Sequence, residues 1–259
     1  DIHPPADQSW RTGLIYDETR EEIGPEHQGG AEVERRLHIL AGRMLAFLSI
    51  DKIIKTIREA TDTVARELAI QAAERELGFI DAPVSGGQAG AINGQLTIMV
   101  GGPEDALEEV RPVFEAMGKS ITHVGEAGAG QIAKGANQIM VAAQMVAMAE
   151  LLIFAQKAGA DPKKVVQAIR GGAAQCWTLD VKPPRLFAGN RNPGFKARMQ
   201  AKDIQIVLET AREYGIPLPS AAVDAQLYSA MLQLGLQDAD NSAVVAIIER
   251  LAGVELEHD

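Results

Sequence analysis

The sequence changes its pattern near Gly125, and this change constrains the fold more than any other feature. Upstream, β-rich runs such as QLTIMVGG and ITHV alternate with the helical segment PEDALEEVRPVFEAMG. Such alternation is typical of an open α/β sheet. After Val124 each segment is helical in period, and glycine or proline clusters separate the segments. We therefore predict an α/β domain at residues 1–124 and an all-helical domain at residues 125–259.

Local signals predict individual elements within these two domains. Residues 64–76 carry apolar side chains at helical spacing, with Gly78 as the expected C-cap. Residues 79–80 are expected to form a short strand, and residues 95–102 a second strand. Pro183-Pro184 is among the breaks expected between the later helices.

The N-terminal sixty residues are harder to interpret. Residues 1–36 are rich in charge, proline and glycine, which predicts a solvated segment. Residues 37–54 are apolar enough for either a buried helix or a strand and a turn, and periodicity does not decide between them. We therefore treat residues 1–60 as the atypical part of the α/β domain.

Composition excludes several classes of function. The formal net charge of −10 leaves no basic stripe for nucleic acid, so small metabolites or proteins are the expected partners. Cys176 is the only cysteine, and no Cys/His group has metal-ligand spacing, which predicts a cytoplasmic protein without a bound metal. Gln144 and Glu150 interrupt the longest apolar stretch, and the N-terminus lacks a basic region followed by an apolar core. We expect neither a membrane span nor a signal peptide.

Lys134 and Asn137 form the first candidate site, in the segment GAGQIAKGANQ. A helix that begins after Gly130 places both side chains on one face, because they are three residues apart. An ammonium beside a carboxamide suits a carbonyl that becomes an alkoxide, since the lysine supplies a proton or a positive charge. A single helical lysine is usually solvated, but residues 127–152 contain no other Lys or Arg. Lys134 is thus a charge in an otherwise apolar helix that we expect to be buried, which favours a functional role over a solvated one.

Ser85, Gly86 and Gly87 form the second candidate site, in the segment DAPVSGG. A strand that runs into proline and then Ser-Gly-Gly predicts a tight turn with backbone N–H groups and a hydroxyl, which can hold a carboxylate. An ordinary turn at the end of a strand has the same residues, so the local sequence leaves both interpretations open.

A third motif joins Gly194-Phe195 to Lys202-Asp203. Lysine followed by aspartate on a helix is commonly a solvated surface pair whose ionic contribution is small. The residues of this motif therefore assign no chemistry to Lys202 by themselves.

Together these motifs resemble the β-hydroxyacid dehydrogenases, the family of 3-hydroxyisobutyrate dehydrogenase and tartronate semialdehyde reductase. The resemblance extends from about Arg66 to the C-terminus and includes IRGGAAQ and NSAVVAIIERLAGVE. It implies an abbreviated or atypical Rossmann-like N-terminal domain, an all-α C-terminal domain and a long interdomain helix. It also implies NADP or NAD as the cofactor and assembly as a homodimer or homotetramer.

The resemblance also implies roles for the candidate residues. Lys134 corresponds to the general acid/base of the family, and Asn137 to the residue that helps to hold the substrate. The turn of Ser85, Gly86 and Gly87 becomes the carboxylate site. Lys202 becomes a cofactor contact at the interdomain cleft.

One expected motif is missing from the sequence. The family begins with a strand and G-x-G-x-x-G, which brings a pyrophosphate to a helix N-terminus, and no such motif stands before Asp81. The N-terminal part is therefore a truncated or rearranged cofactor domain, an unrelated replacement, or an incorrect sequence, and these alternatives stay open.

Two functions follow from these observations. The first is NAD(P)-dependent interconversion of a small β-hydroxyacid and its semialdehyde, with tartronate semialdehyde and D-glycerate ahead of 3-hydroxyisobutyrate. The second is a non-enzymatic family descendant that serves as an oligomerisation or metabolite-binding module. The lysine helix and the serine turn favour the enzyme, whereas the missing glycine motif favours the module.

Overall fold

The computed structural model describes residues 61–258, so the predictions for residues 1–60 lie outside the described part of the chain. Within this range a small sheet with flanking helices is followed by a long series of helices. The strands are β1 (Val84–Ser85), β2 (Leu96–Gly101) and β3 (Gly118–Gly125). The helices are α1 (Asp62–Ala73), α2 (Gly87–Ile92), α3 (Glu104–Met117), α4 (Ala129–Lys157), α5 (Pro162–Ile169), α6 (Trp177–Phe187), α7 (Ala197–Glu213), α8 (Pro219–Gln233) and α9 (Val245–Ala252), and a 3₁₀ turn (Asn241–Val244) precedes α9.

The sheet among the described residues has three strands in the order β1-β2-β3. Strand β2 pairs with β1 antiparallel and with β3 parallel, and Ile98 lies opposite Ile121 in the parallel pair. Helix α3 makes the crossover between the parallel strands, as the sequence predicts. Ile98, Val100 and Leu107 form the buried core between α3 and the sheet.

Two local predictions in this region are wrong. Residues 79–80 are not a strand; Asp81 makes an isolated bridge to Gly101, and β1 begins only at Val84. Helix α1 ends at Ala73, and the left-handed residue after it is Glu76 (φ 55°), not Gly78. Long-range pairing with β2 therefore overrides the short-range strand signal, and the turn after α1 takes its left-handed residue at Glu76, two positions before the glycine.

Helix α4 is the axis of the helical part, and its 29 residues confirm the predicted long helix. Met145, Met148 and Leu152 are buried in one core with Ile204 of α7 and Tyr228 of α8. Each fully buried apolar side chain of this size contributes roughly 1.5–3 kcal/mol. Helix α4 is long and apolar enough to cross a membrane, but half of its most apolar window is buried inside the protein, as in a core helix.

The predicted break at Pro183-Pro184 is also wrong, because both prolines lie inside α6. Proline removes a helical N–H donor and crowds the preceding turn, which ordinarily ends a helix. Here Leu179, Leu186 and Phe187 bury one face of α6 in the helical core. Their burial opposes the cost of the missing hydrogen bonds.

The buried carboxylate of Asp81 fixes the beginning of α4 against the sheet. The first turn of a helix has N–H groups without helical partners and carries the positive end of the helix dipole. Asp81 accepts hydrogen bonds from the N–H of Gly128 at 2.7 Å and from that of Gln131 at 2.8 Å. One side chain at the end of a sheet segment therefore satisfies two donors of a helix that is distant in sequence.

Two glycines allow this close approach. A Cβ atom added at Gly130 would lie 2.6 Å from both the carbonyl oxygen and a carboxylate oxygen of Asp81. A Cβ atom added at Gly101 would lie 2.5 Å from the other carboxylate oxygen. Residues with side chains would push the helix away from the sheet at both positions.

We predict that Asp81→Ala destabilises the protein by about 1–3 kcal/mol, because it leaves the buried N–H of Gly128 and the partly buried N–H of Gln131 without an acceptor. Urea unfolding followed by circular dichroism measures this change. Asp105→Ala is the matched control and should cost less than about 0.5 kcal/mol, since Asp105 accepts a hydrogen bond from the exposed N–H of Ala106. Equal losses in the two variants would contradict the capping role.

Candidate active site

Lys134 lies in the second turn of α4 and reaches across to strand β1. Its Nζ donates a hydrogen bond to the carbonyl oxygen of Val84 at 2.9 Å. Val84 immediately precedes Ser85 and the two glycines of the second candidate site. The structure thus brings together two candidate sites that lie about fifty residues apart in the sequence.

The surroundings of Lys134 favour its neutral form. Burial lowers the pKa of its ammonium below the ordinary value of 10.5, and the nearby positive charge of Lys202 lowers it further. The carboxylate of Asp203 acts in the opposite direction and raises the pKa. A lysine in such an environment can exchange a proton with a reacting oxygen more readily than a solvated lysine can.

Asn137 and Lys202 are linked by a chain of polar contacts. Asn137 Nδ2 donates to Gln138 Oε1 at 2.8 Å, and Gln138 Nε2 donates to Asp203 Oδ2 at 2.5 Å. The other carboxylate oxygen of Asp203 lies 2.8 Å from Lys202 Nζ. This polar chain of Asn137, Gln138, Asp203 and Lys202 joins α4 to α7 and places the third motif beside the first.

The turn after β1 has the backbone geometry that glycine permits. Ser85 pairs with Thr97 of β2, and Gly86 and Gly87 follow with φ angles of 132° and 60°. Both values lie where residues with a Cβ atom are strained. A Cβ atom at Gly87 would lie 3.7 Å from the carbonyl oxygen of Gly194, so the segment of the third motif lies next to this turn.

A buried ion pair holds the Gly194-Phe195 segment in place. Asp240 accepts from Lys182 Nζ at 2.7 Å, and its second oxygen accepts from the N–H groups of Gly194 and Phe195. The pKa of Asp240 is lowered to about 2; burial raises it, but the hydrogen bonds from Lys182 and Ser242 outweigh burial. This pair determines where the main chain passes the glycine turn.

Sequence reasoning missed four residues that organise this region. Asp81 and Gln138 stand inside the quoted motifs, but their partners lie 47 to 65 residues away. Lys182 and Asp240 stand outside the motifs and are 58 residues apart. A single aspartate, lysine or glutamine is too common a signal in a sequence to reveal such distant partners.

The arrangement can perform a limited range of chemistry. It offers a lysine with a lowered pKa and a carboxamide on α4, and a glycine turn with a hydroxyl at the end of β1. Among residues 61–258 no cluster of three or more His, Cys, Asp or Glu side chains could hold a metal ion. The described groups suit proton transfer to an oxygen of a small anionic substrate.

Comparison with family models assigns both parts of the chain. Residues 37–125 match the NAD-binding domain of 6-phosphogluconate dehydrogenase. Residues 128–248 match the NAD-binding domain of NADP-dependent 3-hydroxyisobutyrate dehydrogenase. The first match begins upstream of Arg66, so it extends the family resemblance beyond the motifs that the sequence displays.

Curated relatives agree with these matches. The 2-hydroxy-3-oxopropionate reductase of Escherichia coli K12 is 45% identical over 183 residues, which are 70% of this chain and 63% of that protein. The NAD-dependent L-serine dehydrogenase of Pseudomonas aeruginosa is 35% identical over 217 residues, which cover 81% of this chain and 73% of that protein. The chain thus spans less than two thirds of the length of the Escherichia coli relative and about three quarters of the length of the Pseudomonas aeruginosa relative.

A solved structure shows the same fold. The 3-hydroxyisobutyrate dehydrogenase of Mycobacterium tuberculosis, solved with L-serine, superposes with a TM-score of 0.67 at 33% identity. The superposition covers 73% of this chain and 67% of that one.

These findings confirm the predicted fold class, a Rossmann-like N-terminal domain followed by an all-α C-terminal domain. The domain boundary near Gly125 stays a prediction. The motifs, the matched models and the relatives agree, and the chain belongs to the β-hydroxyacid dehydrogenase family.

Proposed function

We propose that the protein is an NAD(P)-dependent oxidoreductase that interconverts a small β-hydroxyacid and its semialdehyde, with Lys134 as the general acid/base. One observation carries the proposal: the Lys134 amine lies 2.9 Å from a carbonyl oxygen at the edge of the Ser85-Gly86-Gly87 turn. A proton-transfer group and an anion-binding turn at this distance suit a substrate with a carboxylate a few bonds from its reacting carbon.

Tartronate semialdehyde and D-glycerate are the first candidate substrates. The Escherichia coli relative, which is named a 2-hydroxy-3-oxopropionate reductase, supports this choice. 3-Hydroxyisobutyrate comes second, supported by the name of the Mycobacterium tuberculosis enzyme. We further propose that the protein acts as a homodimer or homotetramer in the cytoplasm, without a nucleic-acid or membrane partner.

The described residues fit the reacting end of a nicotinamide cofactor. Gly86 and Gly87 are exposed and have no side chains, so a flat ring can approach the turn closely. The Lys202 side chain is 35% exposed and lies beside Asp203 in the polar chain that ends at Asn137. We propose that Lys202 contacts the cofactor. When bound, the cofactor supplies the hydride that reduces the aldehyde carbon, or accepts it in the reverse reaction.

The side chains of the protein perform the remaining steps. In reduction, the Lys134 ammonium donates a proton to the oxygen of the aldehyde as the hydroxyl forms. In oxidation, the neutral amine takes the hydroxyl proton. The turn of Ser85, Gly86 and Gly87 holds the carboxylate, and Asn137 holds the hydroxyl, so that the reacting carbon stays in one position.

Lys134→Met should lower kcat for D-glycerate oxidation by about 10²–10⁴-fold, because general acid/base catalysis contributes about this factor. Cofactor reduction followed by absorbance measures the change. Lys157→Met is the matched control at the far end of the same helix, where Lys157 bonds the carbonyl oxygen of Ala252. Near-normal turnover of the Lys134 variant, with a folded circular dichroism spectrum, would exclude this role.

The pH dependence of oxidation should follow the pKa of Lys134. The rate should rise with pH through a midpoint below 10.5, because oxidation requires the neutral amine and burial lowers this pKa. Asp203→Asn removes the charge that raises the pKa, so the midpoint should move to lower pH. Lys202→Met removes a charge that lowers the pKa, so its midpoint should move to higher pH. Shifts in the same direction would show that another group titrates.

Cofactor binding can be measured without any substrate. Calorimetric titration of the whole chain with NADH and with NADPH should detect micromolar binding of at least one of them. Lys202→Met should weaken this binding about tenfold through the loss of a charged contact, whereas Lys196→Met, in an exposed pair with Asp238, should not change it. The absence of binding for both nucleotides would reject the dehydrogenase and favour the non-enzymatic module.

A further inference from the structure

Gln138 is a buried member of the polar chain to which the proposed reaction gives no role. Its side chain is 3% exposed and lies between Asn137 on α4 and Asp203 on α7. A buried carboxamide of this kind is costly unless both of its ends are paired. Both ends of the Gln138 side chain are paired, one with the carboxamide of Asn137 and the other with the carboxylate of Asp203.

The orientation of Gln138 follows from the chemistry of its partners. A carboxylate only accepts hydrogen bonds, so Gln138 must turn its NH₂ group toward Asp203. Its oxygen then faces Asn137 and only accepts, so Asn137 must turn its own NH₂ group toward Gln138. The charge of Asp203 therefore fixes the orientation of two amides in succession.

The hydrogen bond to Gln138 also determines which atom of the Asn137 carboxamide is left for other groups. With Nδ2 bonded to Gln138, its Oδ1 points away from Gln138. Asn137 is three residues from Lys134 and shares its face of α4. An accepting oxygen on that face recognises a hydrogen-bond donor.

We propose that Gln138 is a positioning residue that fixes Asn137 with its oxygen toward the substrate, so that Asn137 recognises the hydroxyl of the β-hydroxyacid. The inference rests on the proposed function. A hydroxyl has one hydrogen: it is donated to Asn137 Oδ1 while Lys134 is an ammonium and turns to the Lys134 amine for proton transfer, whereas an aldehyde oxygen only accepts. Gln138 therefore favours binding of the alcohol form over binding of the aldehyde form.

The first test compares the two directions of the reaction. Gln138→Met removes both hydrogen bonds with little change in length. It should raise KM for 3-hydroxyisobutyrate about tenfold, because the orientation of Asn137 is lost, and leave KM for its semialdehyde within about twofold. Gln144→Met is the matched control, since Gln144 lies on the same helix and accepts from Thr178 Oγ1 at 2.9 Å. It should change neither KM. An unchanged hydroxyacid KM in Gln138→Met, or equal changes for both substrates, would overturn the inference.

The second test uses a substitution that is reversible by pH. In Gln138→Glu the protonated carboxyl reproduces the glutamine, because its O–H donates to Asp203 and its C=O accepts from Asn137. Burial and the charge of Asp203 should raise the pKa of the introduced carboxyl. The ratio of the hydroxyacid KM of Gln138→Glu to that of the wild type should approach one at low pH and increase as the pH rises. A ratio that does not depend on pH would contradict the orientation mechanism, since loss of packing alone does not titrate.

Thermal unfolding separates this inference from the proposed function. A carboxyl with a raised folded-state pKa stabilises the fold below that pKa and loses this contribution as the pH rises through it. The melting temperature of Gln138→Glu, relative to wild type, should therefore fall with increasing pH, and this measurement requires no turnover. A wild-type protein without activity, together with this pH dependence, would reject the dehydrogenase but keep the hydrogen-bond chain. A difference in melting temperature that does not change with pH would reject the hydrogen-bond chain, whether or not the protein is active.

Discussion

The contact between the Asp81 carboxylate and the first turn of α4 is the constraint on which the rest of the site depends. It satisfies two helix donors, places a negative charge at the positive end of the helix dipole, and ties a sheet segment to a helix of 29 residues. Lys134 is one turn further along and reaches Val84 only because the start of the helix is held at this distance. The position of the candidate catalytic group is therefore set by a residue that takes no part in the chemistry.

The site is otherwise a meeting of three chain segments, each held by buried polar groups. Strand β1 and its glycine turn are fixed by pairing with β2. Helix α4 is fixed by Asp81, and the Gly194-Phe195 segment by the Asp240 carboxylate with its Lys182 partner. Buried charges of this kind are costly unless they are fully paired, so such contacts specify a geometry more than they add stability. Within the described residues, the hydrophobic core of α4, α7 and α8 supplies the stability.

The sequence predicted the parts of this structure that depend on local pattern. The long helix, the crossover from β2 to β3 and the shared face of Lys134 and Asn137 follow from periodicity and spacing. Strand β1 was misplaced, because its position depends on pairing with a strand beyond the turn. Pro183-Pro184 remains helical, because burial of α6 outweighs the local signal. The partners of Gln138 and Asp81 could not be predicted, since both contacts join residues that are close only after folding.

The crowding around Asp81 also limits how the gene can change. The added Cβ atoms at Gly101 and Gly130 would each meet the Asp81 side chain, and Gly101 would also meet the backbone N of Gly130. A side chain at Gly101 would require Asp81 and Gly130 to move, and a side chain at Gly130 would require Asp81 to move. These three positions, which lie in separate parts of the chain, are therefore coupled. A substitution at one of them requires a compensating change at another. Substitutions should therefore be rarer at these three positions than on the exposed face of α1.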